Sequence, residues 1–194
     1  IMPSLVGSEM CIRDRFKEIA YLISKKYKKM SPFTLKIKSP KETGKTFSSN
    51  SKLKVKFFSK YVNYPVLSDD SGICIKALNN QPGIYSARLA KKHGSFFQAM
   101  KFILKKLEKK KNRKATFVCN LSYKGNGNKI TSVEGKINGK ISTKILGKKG
   151  FGYDPIFIPN KEKITFGQMS KFKKIKMDHR YIAFKKLKIK IKTL

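Results

Sequence analysis

Acidic residues are scarce in this chain of 194 residues. It has 11 Asp and Glu against 46 Lys and Arg, a formal net charge of +35 at pH 7, and only five of the basic residues are arginines. Nucleic-acid-binding proteins concentrate basic residues on one face and use arginine for bidentate contacts. Here the lysines are spread along the whole chain. A genome biased toward A and T, whose codons favour lysine, explains this composition better than a nucleic-acid-binding function does. Non-specific affinity for polyanions is still expected from the charge.

Cysteines and long apolar runs are also few. The three cysteines, Cys11, Cys74 and Cys119, are widely spaced, so they predict neither a disulfide framework nor a zinc site. We expect reduced thiols, the last two in buried strands. No apolar run approaches the roughly 18 residues that a membrane-spanning helix needs, and the first residues lack the features of a secretion signal. We therefore expect a cytoplasmic protein that does not associate with membranes.

Apolar residues are numerous enough to build a core, because 40% of the chain is hydrophobic and 11% is aromatic. This composition excludes intrinsic disorder for the bulk of the chain, and the length fits one domain or at most two. Residues 2–15 resemble a translated adaptor and join abruptly to an amphipathic run. We therefore interpret residues 1–15 as a foreign lead-in and expect a single domain over residues 16–194.

The spacing of apolar residues predicts an α/β fold. Helical spacing predicts helices over residues 14–29, 46–61, 95–109 and 178–188. Apolar or alternating runs predict strands over residues 34–39, 66–68, 73–78, 115–123 and 130–137, and a turn with a strand over 150–159. Residues 188–192 alternate Lys and Ile and fit either a frayed tail or a short strand. Helices and strands alternate early while strands are consecutive in the middle, so we expect a mixed sheet.

Two adjacent aspartates are informative in a chain with so few acids. Asp69 and Asp70 stand between an apolar strand and Ser71. Taken alone, the pair favours an Asx turn that joins two strands. The alternative is a metal and water site, because Mg²⁺ takes carboxylate oxygens and a second carboxylate can orient or deprotonate the attacking water. Glu42, at the entrance to a predicted helix, is either a further ligand or a solvated loop acid.

A glycine-rich segment over residues 150–155 is the second candidate site. Its two glycines permit close approach of the backbone, and Phe151 and Tyr153 offer ring faces on which a purine can stack. A tight turn with two core aromatic residues explains the same pattern.

A third cluster lies near the start of the last predicted helix. His179 and Arg180 can donate hydrogen bonds to the carbonyl groups of a base, and Lys174 can contact a phosphate. A surface His and Arg pair is the simpler explanation of these residues when they are considered alone.

In chain order, the clusters resemble the family of non-standard purine nucleoside triphosphate pyrophosphatases. The resemblance covers about residues 17–187. The segments that carry it are Glu42-Thr43-Gly44 with Thr46-Phe47 and Asn50, Ser68-Asp69-Asp70-Ser71-Gly72, Pro82-Gly83-Ile84-Tyr85-Ser86-Ala87-Arg88, Phe117-Val118-Cys119, Glu134-Gly135 with Gly139, Gly150-Phe151-Gly152-Tyr153-Asp154-Pro155-Ile156-Phe157 and His179-Arg180.

The resemblance implies both a fold and a reaction. The fold is an elongated mixed β-sheet flanked by helices, with two lobes and an active-site cleft between them, usually in a homodimer. The reaction is Mg²⁺-dependent hydrolysis of inosine, deoxyinosine or xanthosine triphosphate (ITP, dITP or XTP) between the α- and β-phosphates. Its products are the nucleoside monophosphate and pyrophosphate, so the enzyme would remove non-standard nucleotides from the nucleotide pool.

The resemblance also implies roles for single residues. Asp70 would accept a proton and bind Mg²⁺, with Glu42 and Asp69 supporting the metal. Residues expected to contact the phosphates or the base are Arg15, Lys54, Ser71, Phe151, Gly152, Tyr153, Asp154, Lys174, His179 and Arg180.

The start of the chain departs from the family pattern. Where the family has a first strand and a Ser/Thr-x-Asn-x-x-Lys phosphate loop, this chain has Ile12 in place of the Asn and Arg15 in place of the Lys. We therefore expect neither that strand nor that loop. Asp178 and Ile175 also replace the usual Ser and Asn. Three hypotheses remain: an active hydrolase, a catalytically impaired relic of this fold, and a basic nucleic-acid-binding protein.

Overall fold

The computed structural model describes residues 2–4 and 9–191 of the chain, with side chains from residue 14 onward. Its helices are α1 (Glu9–Leu22), α2 (Phe47–Phe58), α3 (Ser86–Lys92), α4 (Phe96–Lys106), α5 (Lys171–Ile175) and α6 (His179–Ile191). Its strands are β1 (Met2–Ser4), β2 (Val66–Ile75), β3 (Gln81–Pro82), β4 (Lys114–Lys124), β5 (Ile130–Ile141) and β6 (Phe157–Pro159). Short 3₁₀ turns cover Lys76–Leu78, Gly83–Tyr85 and Asp154–Ile156.

The described strands form one mixed sheet. Its order is β1-β2-β4-β5-β6, and β3 pairs with β2 outside this path. β1 runs parallel to β2 with Met2 opposite Val66, whereas β3 and β6 pair antiparallel with β2 and β5. Almost all of β2 is buried, as expected for a central strand that is covered on both faces. The predicted α/β fold with a mixed sheet flanked by helices is therefore confirmed.

The described chain divides into two compact units, and the first consists of residues 1–70, 119–135 and 179–194. Its larger core cluster is formed by apolar residues of α1, α6, β2 and β4 together with Ile23, which directly follows α1. The cluster includes Ile19, Ile23, Leu67, Cys119, Leu121, Ala183, Phe184 and Leu187. A smaller cluster joins Val55 and Phe58 of α2 to Val66 of β2. These contacts hold α1, α2 and α6 against the sheet at β2, the strand that carries both aspartates.

The second unit consists of residues 71–118 and 136–178. Its core contains buried residues of α4, among them Ala99, Met100 and Ile103, and three neighbouring aromatic rings. The ring centroids of Phe117 and Phe157 are 4.6 Å apart, and those of Phe157 and Phe166 are 5.4 Å apart. Such pairs add about 0.5–1.5 kcal/mol each beyond the burial of their area.

Most predicted elements are confirmed within a few residues, but the strand predicted over residues 34–39 is wrong. Residues 32–36 form a turn in which the backbone N–H of Thr34 donates to the Ser31 hydroxyl at 3.1 Å. Leu35 and Ile37 pack against the Val55 and Phe58 cluster from this turn. The alternation of apolar and polar residues around Leu35 and Ile37 therefore belongs to a turn that hydroxyl groups stabilise, and not to a strand.

The two strands predicted over residues 66–68 and 73–78 are one continuous strand, β2, followed by a 3₁₀ turn. The interpretation of Asp69 and Asp70 as an Asx turn is therefore wrong, because both residues lie inside the strand. At the other end of the chain, α6 continues to Ile191, so the alternating residues up to 191 are helical. Residue 192 lies outside the described residues.

The start of the chain also differs from expectation. Residues 2–4 form β1, so the prediction that no first strand exists is wrong, and α1 begins at Glu9 and ends at Leu22. Residues 1 and 5–8 of the predicted lead-in lie outside the described residues, as do the side chains of Cys11 and Ile12. In the part of the chain that the structure describes, no helix is both long and apolar enough to cross a membrane.

Candidate active site

The paired aspartates lie in the middle of β2 and are both buried. Successive side chains of a strand point to opposite faces of the sheet, so the two carboxylates meet different neighbours. Asp69 Oδ2 lies 3.7 Å from Nε of Arg180 on α6, whereas Asp70 lies beside Asn50 and Lys54 of α2. The two acids are adjacent in the sequence, but their side chains therefore lie in two separate environments.

Asp70 is held by two side chains that are one helical turn apart. Nδ2 of Asn50 donates a hydrogen bond to Oδ2 of Asp70 at 3.1 Å, and Nζ of Lys54 lies 3.6 Å from Oδ1 of Asp70. Residues separated by four positions share one face of a helix, which is why α2 presents both groups to the same carboxylate. A capping box between Thr46 and Ser49 fixes the start of this helix.

Lys54 is completely buried and lies between two acids. Its Nζ is 2.9 Å from Oε1 of Glu42, besides the 3.6 Å to Asp70. A buried ammonium group is tolerated only when it is paired, and here two carboxylates compensate one positive charge. Glu42, Lys54 and Asp70 therefore form one ionic cluster, which brings together three residues that the resemblance assigns to a single site.

Hydroxyl groups dock α2 onto the sheet beneath this cluster. The Ser51 hydroxyl donates to Oδ1 of Asn120 at 2.6 Å and lies 2.7 Å from the Ser122 hydroxyl, both on β4. The Ser68 hydroxyl of β2 donates to the Ser51 carbonyl at 2.6 Å. Ser51 lies between Asn50 and Lys54 in the chain. These bonds therefore fix the position of α2 on the sheet, and with it the positions of the Asn50 and Lys54 side chains beside Asp70.

Burial raises the pKa of Asp70 from 3.8 to about 6. Lys54 and the hydrogen bond from Asn50 oppose this rise, and the negative charges of Glu42 and Asp69 add to it. A carboxylate with a pKa near 6 is ionised at neutral pH and is a stronger base than an ordinary aspartate. Asp70 is thus suited to accept a proton from water.

Arg180 belongs to a second buried ionic cluster. Its Nη1 lies 3.2 Å from Oε2 of Glu18 on α1, and its Nε faces Asp69. The guanidinium of Arg180 is therefore paired with two carboxylates. His179 and Arg15 are buried in the same unit.

The start of α6 lies very close to β5. A Cβ added to Gly135 would lie 2.2 Å from the carbonyl oxygen of His179, so only glycine lets β5 approach the helix this closely.

The segment over residues 150–155 is organised by Asp154 in the second unit. Its Oδ2 accepts the backbone N–H of Phe151 at 2.9 Å and pairs with Nζ of Lys174 at 2.8 Å. The same Nζ lies 4.5 Å from the centre of the Phe151 ring. Gly150 and Gly152 have φ of +72° and +65°, a region that favours glycine. Lys174 is thus tied to this segment by an ion pair and a cation–π contact.

The two aromatic residues of the segment have different surroundings. Tyr153 is buried, its hydroxyl donates to the Ser86 carbonyl at 2.8 Å, and its ring meets Phe96 edge-on at 5.2 Å. Phe151 and Gly152 are partly exposed. Tyr153 therefore acts as an anchor of the core, and Phe151 is the ring that is available for stacking.

Two neighbours of these clusters were missed by the sequence reasoning as parts of the site. Asn50 belongs to the segments that resemble the family, but the sequence reasoning assigns it no role. It contacts Asp70, and its spacing of four residues from Lys54 on a predicted helix is a signal that could have revealed this. Glu18 contacts Arg180 from 162 positions away in the chain, and no local pattern predicts such a pair. Ser71 is buried beside Asp70 on β2.

The residues around Asp70 fit a divalent cation that is only partly coordinated by protein. Among the described residues, no three His, Cys, Asp or Glu side chains are grouped to hold a metal ion. Asp70 and Glu42 do supply hard carboxylate oxygens, and the charge of Glu42 raises the pKa of Asp70, which a cation would counteract. Mg²⁺ is commonly bound by one or two carboxylates, with water and substrate phosphates as the other ligands.

Comparison with known proteins gives consistent results. A sequence model of the Ham1 family matches residues 13–190. The chain is 45% identical over 157 residues to the dITP/XTP pyrophosphatase of Borreliella burgdorferi (strain ZS7), covering 76% of this chain and 77% of the relative. It is 38% identical over 173 residues to the dITP/XTP pyrophosphatase of Caulobacter vibrioides, covering 88% and 89%.

Solved structures resemble the whole fold. A HAM1 protein from Coxiella burnetii matches with a TM-score of 0.85 and 28% identity over 100% of both chains. The Staphylococcus aureus Ham1 protein matches with a TM-score of 0.82 and 32% identity, covering 98% of this chain and 97% of that chain.

Proposed function

Because the chain belongs to the Ham1 family, we propose that it hydrolyses the non-standard purine nucleoside triphosphates ITP, dITP and XTP to the monophosphate and pyrophosphate. The observation that carries this function is Asp70, a buried carboxylate with a raised pKa that lies beside Lys54 and Asn50. The protein is thus a hydrolase that removes non-standard nucleotides from the nucleotide pool.

Asp70 is the proposed general base. Water forms a bond to phosphorus, the anhydride bond between the α- and β-phosphates breaks, and pyrophosphate leaves. The proton lost by the water passes to Asp70, a buried carboxylate that accepts a hydrogen bond from Asn50 and lies 3.6 Å from Nζ of Lys54. Asn50 and Lys54 hold the carboxylate while the proton is transferred.

Asp70 and Glu42 are the proposed carboxylate ligands of Mg²⁺. When bound, the ion neutralises phosphate charge and polarises the phosphoryl group. Asp69 is proposed to support the site in two ways. Its negative charge raises the pKa of Asp70, and its carboxylate contacts Arg180. Lys54, Ser71 and Arg15 are the proposed phosphate contacts. The assignment of Lys54 is supported by its position between Glu42 and Asp70, and the assignment of Ser71 by its place next to Asp70 in the chain.

The remaining residues are proposed to bind the purine base of the substrate. Phe151 offers a stacking face, Gly152 permits close approach, and Tyr153, Asp154 and Lys174 keep this segment in place. His179 and Arg180 are proposed to donate hydrogen bonds to the 6-keto oxygen. Adenine presents an amino group at this position and would leave the donors unsatisfied.

Release of pyrophosphate from dITP, XTP and dATP tests the proposal directly. We expect dITP and XTP to be hydrolysed at least about tenfold faster than dATP, and Asp70→Asn to lose turnover while remaining folded. A folded parent chain that releases no pyrophosphate would support the relic hypothesis instead. Equal rates for dITP and dATP would contradict the roles of His179 and Arg180.

Several broader properties are also part of the proposal. The family match over residues 13–190 supports a single pyrophosphatase domain over residues 16–194, and the foreign lead-in over residues 1–15 stays a prediction. We propose a cytoplasmic homodimer, to be tested by fractionation and by sedimentation. The net charge of +35 supports non-specific affinity for polyanions, which would appear as retention on heparin that salt reverses.

A further inference from the structure

Asn50 is a fully buried asparagine of α2 that joins two parts of the candidate active site. Its Nδ2 donates to Oδ2 of Asp70 at 3.1 Å. Its Oδ1 accepts the backbone N–H of Gly44 at 2.8 Å. One side-chain amide therefore connects the general base on β2 to residues 42–44, the segment that carries Glu42.

The orientation of this amide is determined by its two partners. A backbone N–H can only donate, and an ionised carboxylate can only accept. Turning the amide by 180° would place Nδ2 against the Gly44 N–H and Oδ1 against the Asp70 carboxylate, so both contacts would become repulsive. Asn50 thus has one favourable arrangement.

Gly44 shows how tightly the segment lies against the helix. A Cβ added to Gly44 would lie 2.5 Å from Oδ1 of Asn50 and 2.9 Å from the Asn50 backbone nitrogen. Lys54, one turn further along α2, repeats the connection, because its Nζ contacts both Glu42 and Asp70. Two residues on the same face of α2 therefore each join residues 42–44 to Asp70.

We propose that Asn50 is a positioning residue that sets the orientation of the Asp70 carboxylate relative to Glu42. This proposal rests on the hydrolase function assigned to Asp70. The carboxylates of Asp70 and Glu42 repel each other, and Lys54 supplies attraction without a fixed direction. The directional bond from Asn50 selects which oxygen of Asp70 faces the water. A displacement of about 1 Å at a reacting group can lower a rate about a hundredfold.

Three variants separate positioning from general stability when kcat and KM for dITP are measured well below each melting temperature. We expect Asn50→Ala to lower kcat by roughly tenfold to a hundredfold and to change KM by less than about threefold. Asn50→Asp is isosteric and keeps an acceptor for Gly44, but it replaces the donor toward Asp70 by a second negative charge that repels the carboxylate, so kcat should fall here too. Ser48→Ala, on the same helix, is the matched control and should keep parental values.

A parental kcat in folded Asn50→Asp would overturn the proposal, as would an effect of Asn50→Ala on KM alone. Since Asn50→Asp preserves the shape of the side chain, it decides the question even where Asn50→Ala does not fold.

Hydrogen exchange at the Gly44 amide provides a measurement that does not depend on activity. We expect exchange to be up to about tenfold faster in Asn50→Ala, which loses the acceptor, and close to parental in Asn50→Asp. Unchanged protection in Asn50→Ala would show that Asn50 does not hold the segment. A parent chain that hydrolyses no dITP would refute the proposed function, while the exchange result would still decide this contact.

Discussion

Burial of the Asp70 carboxylate links its chemistry to the stability of the protein. The folded-state pKa of about 6 lies above the ordinary value of 3.8, so the folded protein binds this proton more tightly than the unfolded chain does. The contribution of Asp70 to stability is therefore present below about pH 4 and is lost as the pH rises through about 6. At neutral pH the ionised group therefore destabilises the metal-free fold, as is common for titratable groups with shifted pKa values at functional sites.

Asp70→Asn is expected to stabilise the metal-free protein at pH 7.5. A shift of about two pKa units corresponds to at most about 3 kcal/mol, which the neutral amide would recover because it cannot ionise. Thermal unfolding in the presence of a chelator, at pH 7.5 and at pH 4.5, measures this effect. The stabilisation should be largest at pH 7.5 and small at pH 4.5, and an equal difference at both values would contradict the raised pKa.

Among the elements, α1, α6 and β2 are connected by charge as well as by apolar contacts. Arg180 of α6 lies between Glu18 of α1 and Asp69 of β2, and all three residues are buried. Removal of one partner from a buried ion pair leaves an uncompensated charge in a region of low dielectric. The packing of these three elements therefore depends on a polar cluster beside the apolar core of Ile19, Leu67 and Phe184.

Glu18→Gln should lower the free energy of unfolding by about 1–3 kcal/mol. The amide can still accept one hydrogen bond from Arg180, and Asp69 still compensates part of the charge, so the loss is smaller than for an isolated pair. Chemical denaturation at pH 7 measures it. Glu108→Gln removes an exposed acid and is the matched control, for which no measurable change is expected. Equal stability of the two variants would show that the Arg180 and Glu18 contact contributes nothing.

At the scale of the whole molecule, the proposed phosphate site includes residues near the start of the chain. A triphosphate brings about four negative charges, which helix N-termini and lysines bind well. Here the family's phosphate-loop positions fall on α1, and Arg15 is buried there. The overall positive charge of the protein attracts an anion but does not position it.

A triple variant, Met10→Ser, Ile12→Asn and Arg15→Lys, restores the Ser-x-Asn-x-x-Lys pattern. We expect it to raise kcat/KM for dITP by roughly tenfold to a hundredfold, because the substrate would be held in a reactive geometry. The two proteins should be assayed side by side at the same ionic strength. Equal kcat/KM values would show that this segment is dispensable for hydrolysis.

Local periodicity made much of the fold predictable. The helices near residues 46–61, 95–109 and 178–188 and the strands near 115–123 and 130–137 follow from apolar spacing, which is a property of neighbouring residues. The strand predicted over residues 34–39 failed because the Ser31 and Thr34 hydroxyls stabilise a turn that alternation does not reveal. Asp69 and Asp70, taken alone, favour a turn because the residues that compensate their charge in a buried strand are distant in the sequence.

The sequence by itself determined the order of helices and strands, the glycines of the turn at 150–152 and the motifs that placed the chain in its family. Only the tertiary structure decided that Asp69 and Asp70, adjacent in the chain, have different partners. The alternation of β2 sends one carboxylate toward Arg180 and Glu18 and the other toward Asn50 and Lys54. Backbone preferences act over a few residues, whereas the pairing of buried charges depends on which elements the folded core brings together.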